Sequence, residues 1–186
     1  MAVAHRLTYA DLLDMPGERR ELLGGELHVA ASPSKRHQRV VRKLGAYLEA
    51  ATQAGLGELW YSPFDVYLDA HNVVQPDLLF VRAGREAIVQ ENKVVGVPDL
   101  TVEILSPSTA AVDLGRGPKG KLGTYERFGV PYYWIVDPDE FWIDVYAGNA
   151  AEDGRYPRQP VRHGPKDVLN SPLFPGRPLR LAELFW

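Results

Sequence analysis

The chain has 186 residues, 45% hydrophobic and 24% charged, which suits one globular domain and excludes a wholly disordered polypeptide. Its 21 basic and 24 acidic residues leave a net charge of −3, so a histone-like polybasic binder is excluded but a local basic groove is not. With no cysteine, disulfides, thiol catalysis, iron–sulfur clusters and thiolate zinc sites are all removed.

No apolar run approaches the roughly 18–20 residues of a membrane span. The opening MAVAHRLTYADLLDM is too polar for a leader peptide, so the expectation is a single cytoplasmic domain over 1–186 with no membrane partner. Thr8 is placed to cap a short helix that begins at Tyr9. Gly24-Gly25 between two apolar runs predicts a tight hairpin over about 20–31. Residues 34–54 are the clearest helix: Ser34 caps it, Val40, Val41, Leu44, Tyr47, Leu48 and Ala51 recur at helical spacing, and Gly55 ends it. Its other face carries Lys35, Arg36, Arg39, Arg42 and Lys43, the densest positive stretch of the chain. A strand bent at Pro63 is predicted over 58–68. After a turn at Ala70-His71-Asn72 comes a second, apolar strand interrupted by Pro76-Asp77. Residues 84–91 read as helical and Asp99–Leu105 as a strand. The Gly-rich loop DLGRGPKG leads to a helix over about 119–128 that Gly129 terminates. Two further strands, YYWIV and FWIDVY, form a hairpin around Asp137-Pro138, with Trp134 and Trp142 read as core. A short helical turn closes the chain. This order predicts an α/β or α+β fold with a mixed central β-sheet flanked by helices.

Two acids stand in apolar strands: Asp77 in VVQPDLLFV and Glu103 in DLTVEIL. A carboxylate buried alone is costly, so each needs a partner, and two on neighbouring strands need a cation between them. A hard divalent ion such as Mg²⁺ (or Mn²⁺), taking carboxylate oxygens and waters, meets both needs. The plainer alternative gives each acid its own arginine or backbone amide. Alternation along the second strand sends Leu100, Val102 and Ile104 to one face and Thr101, Glu103 and Leu105 to the other.

The segments ELLGGEL, SPSKRHQ, VVQPDLLFV, VEILSPST, FGVPYYWIVDP and PGRPLRLAELF, in this order, resemble the Uma-type family of putative restriction endonucleases within the PD-(D/E)XK nuclease superfamily. The resemblance spans nearly the whole chain. It implies a restriction-endonuclease-like core, Mg²⁺-dependent phosphodiester hydrolysis and DNA as substrate. It also implies Asp77 and Glu103 as metal ligands. The superfamily's lysine two residues after the Glu is Leu105 here, whereas the Uma-type pattern carries that lysine on the following helix, four residues before a Tyr. That residue is Lys121, which shares a helix side with Tyr125 and Phe128; the longer loop leaves Lys119 as a rival. Glu26 and His37 match family positions and are supporting candidates, with structural roles as the alternative. Glu21, if not paired to Arg19 or Arg20, and Asp65 are softer candidates.

The leading expectation is a metal-dependent DNA endonuclease with Asp77, Glu103 and Lys121 at its centre. Arg36, Arg39 and Lys43 would contact DNA phosphates, unless that stripe is simply a solvated face. The alternatives are a catalytically degenerate nuclease-fold protein that binds nucleic acid or a partner protein, and a hydrolase of small phosphodiesters. Cutting both strands commonly uses two sites about a two-fold axis, so a homodimer is expected.

Overall fold

A computed structural model describes residues 6–17, 19–148 and 154–186. The first five residues of the segment read as too polar for a leader lie outside the described residues. Thr8 caps α1 (Tyr9–Asp14) in a reciprocal box with Asp11. Strands β1 (Arg20–Leu23) and β2 (Glu26–Val29) form the expected hairpin, and Gly24 and Gly25 both take the positive φ (62° and 80°) that a tight turn of this hand requires. Helix α2 (Lys35–Gln53) starts at Ser34, whose hydroxyl accepts the His37 amide. It buries His37, Val40, Leu44, Leu48 and Ala51 along one stripe.

The region between α2 and residue 95 differs from expectation. The predicted bent strand is two strands in different sheets, β3 (Gly57–Tyr61) and β4 (Asp65–Asp69). The apolar run after it is likewise divided into β5 (Asn72–Val74) and β6 (Leu78–Arg82). Pro63 and Pro76 sit in the two links; lacking an N–H, each stops a ladder and lets the chain cross from one sheet to the other. Where a helix was expected over 84–91 there is only a 3₁₀ turn (Glu86–Ile88), followed by β7 (Lys93–Val95).

The rest follows the predicted order. β8 (Leu100–Ile104) leads through α3 (Ala110–Asp113) to α4 (Lys121–Phe128), then β9 (Tyr132–Asp137) and β10 (Trp142–Ala147). Short strands β11 (Val161–His163), β12 (Val168–Leu169) and β13 (Leu179–Arg180) precede α5 (Leu181–Phe185). Asp137 is the turn residue expected, its Oδ1 accepting the amides of Asp139 and Glu140.

The six-stranded sheet runs β11-β10-β9-β8-β6-β3 and is mixed, parallel only between β8 and β9. A second, five-stranded sheet runs β2-β1-β5-β4-β7. One core joins α2 and α5 to the sheet face carrying Leu100, Val102 and Ile104. The other joins α4 and the second sheet to the face carrying Leu79, Leu105, Tyr133 and Ile135. β8 therefore alternates as predicted, and Glu103 faces α4. Trp134 is fully buried, whereas Trp142 is only half-buried, packed against the edge of the second core with the Arg162 guanidinium 3.9 Å from its ring centroid.

Candidate active site

The pairing of β6 with β8 sets the geometry. Leu78 lies opposite Val102, so one further step puts Asp77 level with Glu103 at the end of the sheet. Asp77 Oδ2 accepts the Ile104 amide of β8 at 2.9 Å and is 3.0 Å from His37 Nε2. His37 reaches it because its side chain lies on the apolar stripe of α2, one turn before Val40. Its Nδ1 is buried with no hydrogen-bond partner among the described residues, which assigns the hydrogen to Nε2, donating to Asp77. The Arg19 guanidinium stands 3.4 Å from Asp77 Oδ1. Burial pushes the Asp77 carboxyl up, yet the hydrogen bond and electrostatic pull of His37, the Ile104 amide and the charge of Lys121 outweigh it and hold the group below its ordinary value.

Lys121 occupies the first turn of α4 and is only 4% exposed. Its Nζ is 2.9 Å from Glu103 Oε1, 2.9 Å from Glu21 Oε1 and 3.5 Å from Asp113 Oδ1. Burial disfavours the ammonium, but these three carboxylates overcome it and raise its pKa well above the ordinary lysine value. Glu103 goes the other way: burial lifts its carboxyl well above the usual range despite Lys121, with Asp113, Asp77 and Glu21 adding repulsion. Its Oε1 also accepts the Tyr125 hydroxyl at 3.1 Å. Glu21 Oε1 accepts the Gln75 amide at 2.6 Å. One cleft is lined by Arg19, Glu21, His37, Asp77, Glu103 and Lys121.

Asp77, Glu103, Lys121 and His37 are thus brought together, and of the two lysines it is Lys121 that lies in the cleft. Glu26 is not in the cleft: it is 48% exposed on β2 and pairs with Lys119, itself 68% exposed, so neither has a reason to enter. Glu21 pairs with Lys121 and not with Arg20, whose guanidinium donates to the Leu12 and Met15 carbonyls. Asp65 braces the site indirectly, accepting from Tyr9 Oη and Gln75 Nε2. Arg36 and Arg39 line an adjoining cleft with Phe141, Phe185 and Trp186, and Arg36 pairs with Asp139 at 2.6 Å. Lys43 is turned elsewhere, donating to the Glu183 and Trp186 carbonyls of the C-terminal helix. Sequence reasoning missed Arg19, Asp113 and the Tyr125 hydroxyl. For Tyr125 the signal was present, since a Tyr one turn from a buried Lys needs a partner for its hydroxyl.

Among the described residues no three His, Cys, Asp or Glu side chains form a ready-made metal cage. The cleft's donor set nevertheless fits a hard cation that keeps most of its waters. Asp77 and Glu103 are level carboxylates, and Glu103 receives both of its close contacts on Oε1. Four carboxylates face Lys121 and Arg19, so negative charge is in excess. Burial first, and then repulsion from Asp113, Asp77 and Glu21, raise the Glu103 carboxyl, and a divalent ion would relieve both.

A family model described as "putative restriction endonuclease", Uma2, matches residues 7–182. The chain belongs to the Uma2 family. A crystal structure titled a putative nuclease belonging to DUF820 from Anabaena variabilis ATCC 29413 superposes on this Uma2 member with a TM-score of 0.75. The match covers 96% of this chain and 97% of that one at 17% identity, a likeness of fold. No protein of curated description matches. Family membership supports a nuclease at the level of function class, on a nuclease-like fold of mixed sheets flanked by helices. Among the described residues no helix is long and apolar enough to cross a membrane.

Proposed function

We propose that this Uma2 protein is a divalent-cation-dependent endonuclease acting on DNA, with Asp77, Glu103 and Lys121 as its working residues. The observation that carries the reading is the convergence of two level carboxylates and one buried ammonium in a cleft with excess negative charge. Asp77 and Glu103 would hold Mg²⁺ or Mn²⁺, which when bound supplies Lewis-acid polarisation of a phosphodiester. His37 and the Ile104 amide hold Asp77 ionised and aimed at the cleft. Lys121, kept protonated by its three carboxylates, donates hydrogen bonds and offsets charge that develops on phosphate oxygens; it is not a proton acceptor in this state. Arg19, at the mouth, is suited to a substrate phosphate. Cutting both strands asks for two such sites, and the reading extends to a two-fold homodimer, which sedimentation of the purified protein tests.

One observation favours binding without cutting: Lys121 already pairs with the carboxylates and leaves them a self-contained network. A single assay separates the two readings. Supercoiled plasmid, linear duplex and single-stranded DNA are incubated with protein in Mg²⁺, Mn²⁺ or chelator. Cleavage requiring the ion is expected, falling by roughly 100-fold or more in Asp77→Asn, Glu103→Gln and Lys121→Met. Cleavage that persists in Asp77→Asn would assign any activity to another site.

A further inference from the structure

Asp113 ends α3 and is 1% exposed, yet neither of its carboxylate oxygens receives a hydrogen bond among the described residues. The Thr109 hydroxyl, 3.0 Å from Ser106 Oγ, is near enough to pull the Asp113 carboxyl down without meeting hydrogen-bond geometry with it. The ion pair of Asp113 is with Lys121 Nζ, at 3.5 Å. Lys121's two other carboxylates both have further commitments. Glu21 Oε1 also holds the Gln75 amide, and Glu103 also accepts Tyr125 and is the proposed cation ligand. Beyond the Thr109 hydroxyl, Asp113 has no second polar partner among the described residues. An apolar residue would pack in its place without the cost of burying a charge, so packing alone does not account for it.

The surrounding chain is built to fix this contact. The Tyr133 hydroxyl donates to the Asp113 main-chain oxygen at 3.0 Å. The Gly-rich loop between α3 and α4 folds back on itself, with the Gly123 amide donating to the Gly115 carbonyl at 3.0 Å. Arg116 braces it from outside through the Pro157 carbonyl at 2.6 Å and Glu126 at 3.7 Å. The longer Gly-rich loop is a clamp that ties α3, which ends in Asp113, to α4, which begins at Lys121.

We propose that Asp113 is a positioning residue for Lys121, keeping the ammonium in the cleft when Glu103 is taken up by a divalent cation. Its consequence for catalysis rests on the nuclease reading; the contact itself does not. Burial of the carboxyl, which lifts its pKa to about 6, agrees with a group retained against its own stability.

The test compares wild type, Asp113→Asn and Asp113→Glu, all checked for folding by thermal melting. The side-chain ammonium signal of Lys121 is read by ¹H–¹⁵N NMR without metal and again with saturating Mg²⁺, identified by its loss in Lys121→Met. A sharp, slowly exchanging signal is expected in wild type, broadened or lost in Asp113→Asn and restored in part by Asp113→Glu. In cleavage assays Asp113→Asn should lower kcat roughly 10- to 100-fold, as for groups that orient a reacting residue, with KM little changed. Mn²⁺ affinity should be unchanged. An unaltered Lys121 signal in folded Asp113→Asn would overturn the proposal, as would wild-type kcat or a loss of Mn²⁺ binding, which would make Asp113 a ligand. If wild type cuts no DNA, the nuclease reading fails and the ammonium signal still decides the role of Asp113.

Discussion

At the scale of single residues, the cleft is a balance of charges taken out of water. Asp77 is satisfied by a backbone amide and His37, and its carboxyl sits below its ordinary value. Glu103 and Asp113 are lifted by burial, and Lys121 is held charged by both. These opposite shifts give opposite dependences on pH. A carboxyl whose folded pKa is raised contributes stability that is full below its unfolded value and lost as pH rises through its folded value. For Asp113 that window runs from the ordinary value of 3.8 to about 6. Metal-free Asp113→Asn should therefore be more stable than its parent near neutral pH and above, by on the order of 2 kcal/mol, and should lose that advantage in acid. Denaturant titrations across pH check this; an Asn variant less stable at alkaline pH would mean the ionised carboxyl is a net stabiliser. The convergence of the two carboxylates was legible in sequence because Asp77 and Glu103 interrupt apolar runs, where a charge has no cheap explanation. Asp113 was not, since nothing in AAVDLG marks its Asp as buried.

At the scale of elements, periodicity was reliable where one element makes one face. The stripe of α2, the alternation of β8 and the Gly24-Gly25 hairpin are all as read. Reading failed where chain chemistry was right but the partner was not visible. Pro63 and Pro76 were read as interruptions within strands; they are crossings between two sheets, and no local pattern tells a bend from a crossing. The choice between Lys119 and Lys121 likewise turned on where α4 begins. Gly120, extended at φ −116°, caps it and leaves Lys121 as its first residue. The α3–α4 clamp makes a prediction of its own. A Cβ at Gly123 would stand 2.1 Å from the Arg116 carbonyl oxygen, a backbone atom that must then move. Gly123→Ala should cost about 1–3 kcal/mol and reduce cleavage by displacing Lys121. Melting curves and rates equal to wild type would show that the clamp does not set the position of that lysine.

At the scale of the whole molecule, a net charge of −3 is spread unevenly: acids gather in the cleft, and arginines stand on α2 beside it. The basic stripe read as one DNA-contacting face is divided by the fold. Arg36 and Arg39 face the cleft lined by Phe141 and Trp186, whereas Lys43 ties α2 to the C-terminal helix. In salt titrations of DNA binding, Arg36→Ala and Arg39→Ala should each flatten the log K against log salt slope by roughly 1. Lys43→Ala should leave the slope alone and lower stability by about 1 kcal/mol. Equal slopes for all three would move the DNA path off α2. The central claim is that Asp77 and Glu103 form a divalent-cation site, and calorimetric titration with Mn²⁺ tests it most directly. Because Glu103 must ionise to bind, wild type should take up Mn²⁺ with release of protons and progressively more weakly as the pH is lowered; Asp77→Asn and Glu103→Gln should bind none. No uptake by wild type, or uptake undiminished in both variants, would contradict the account.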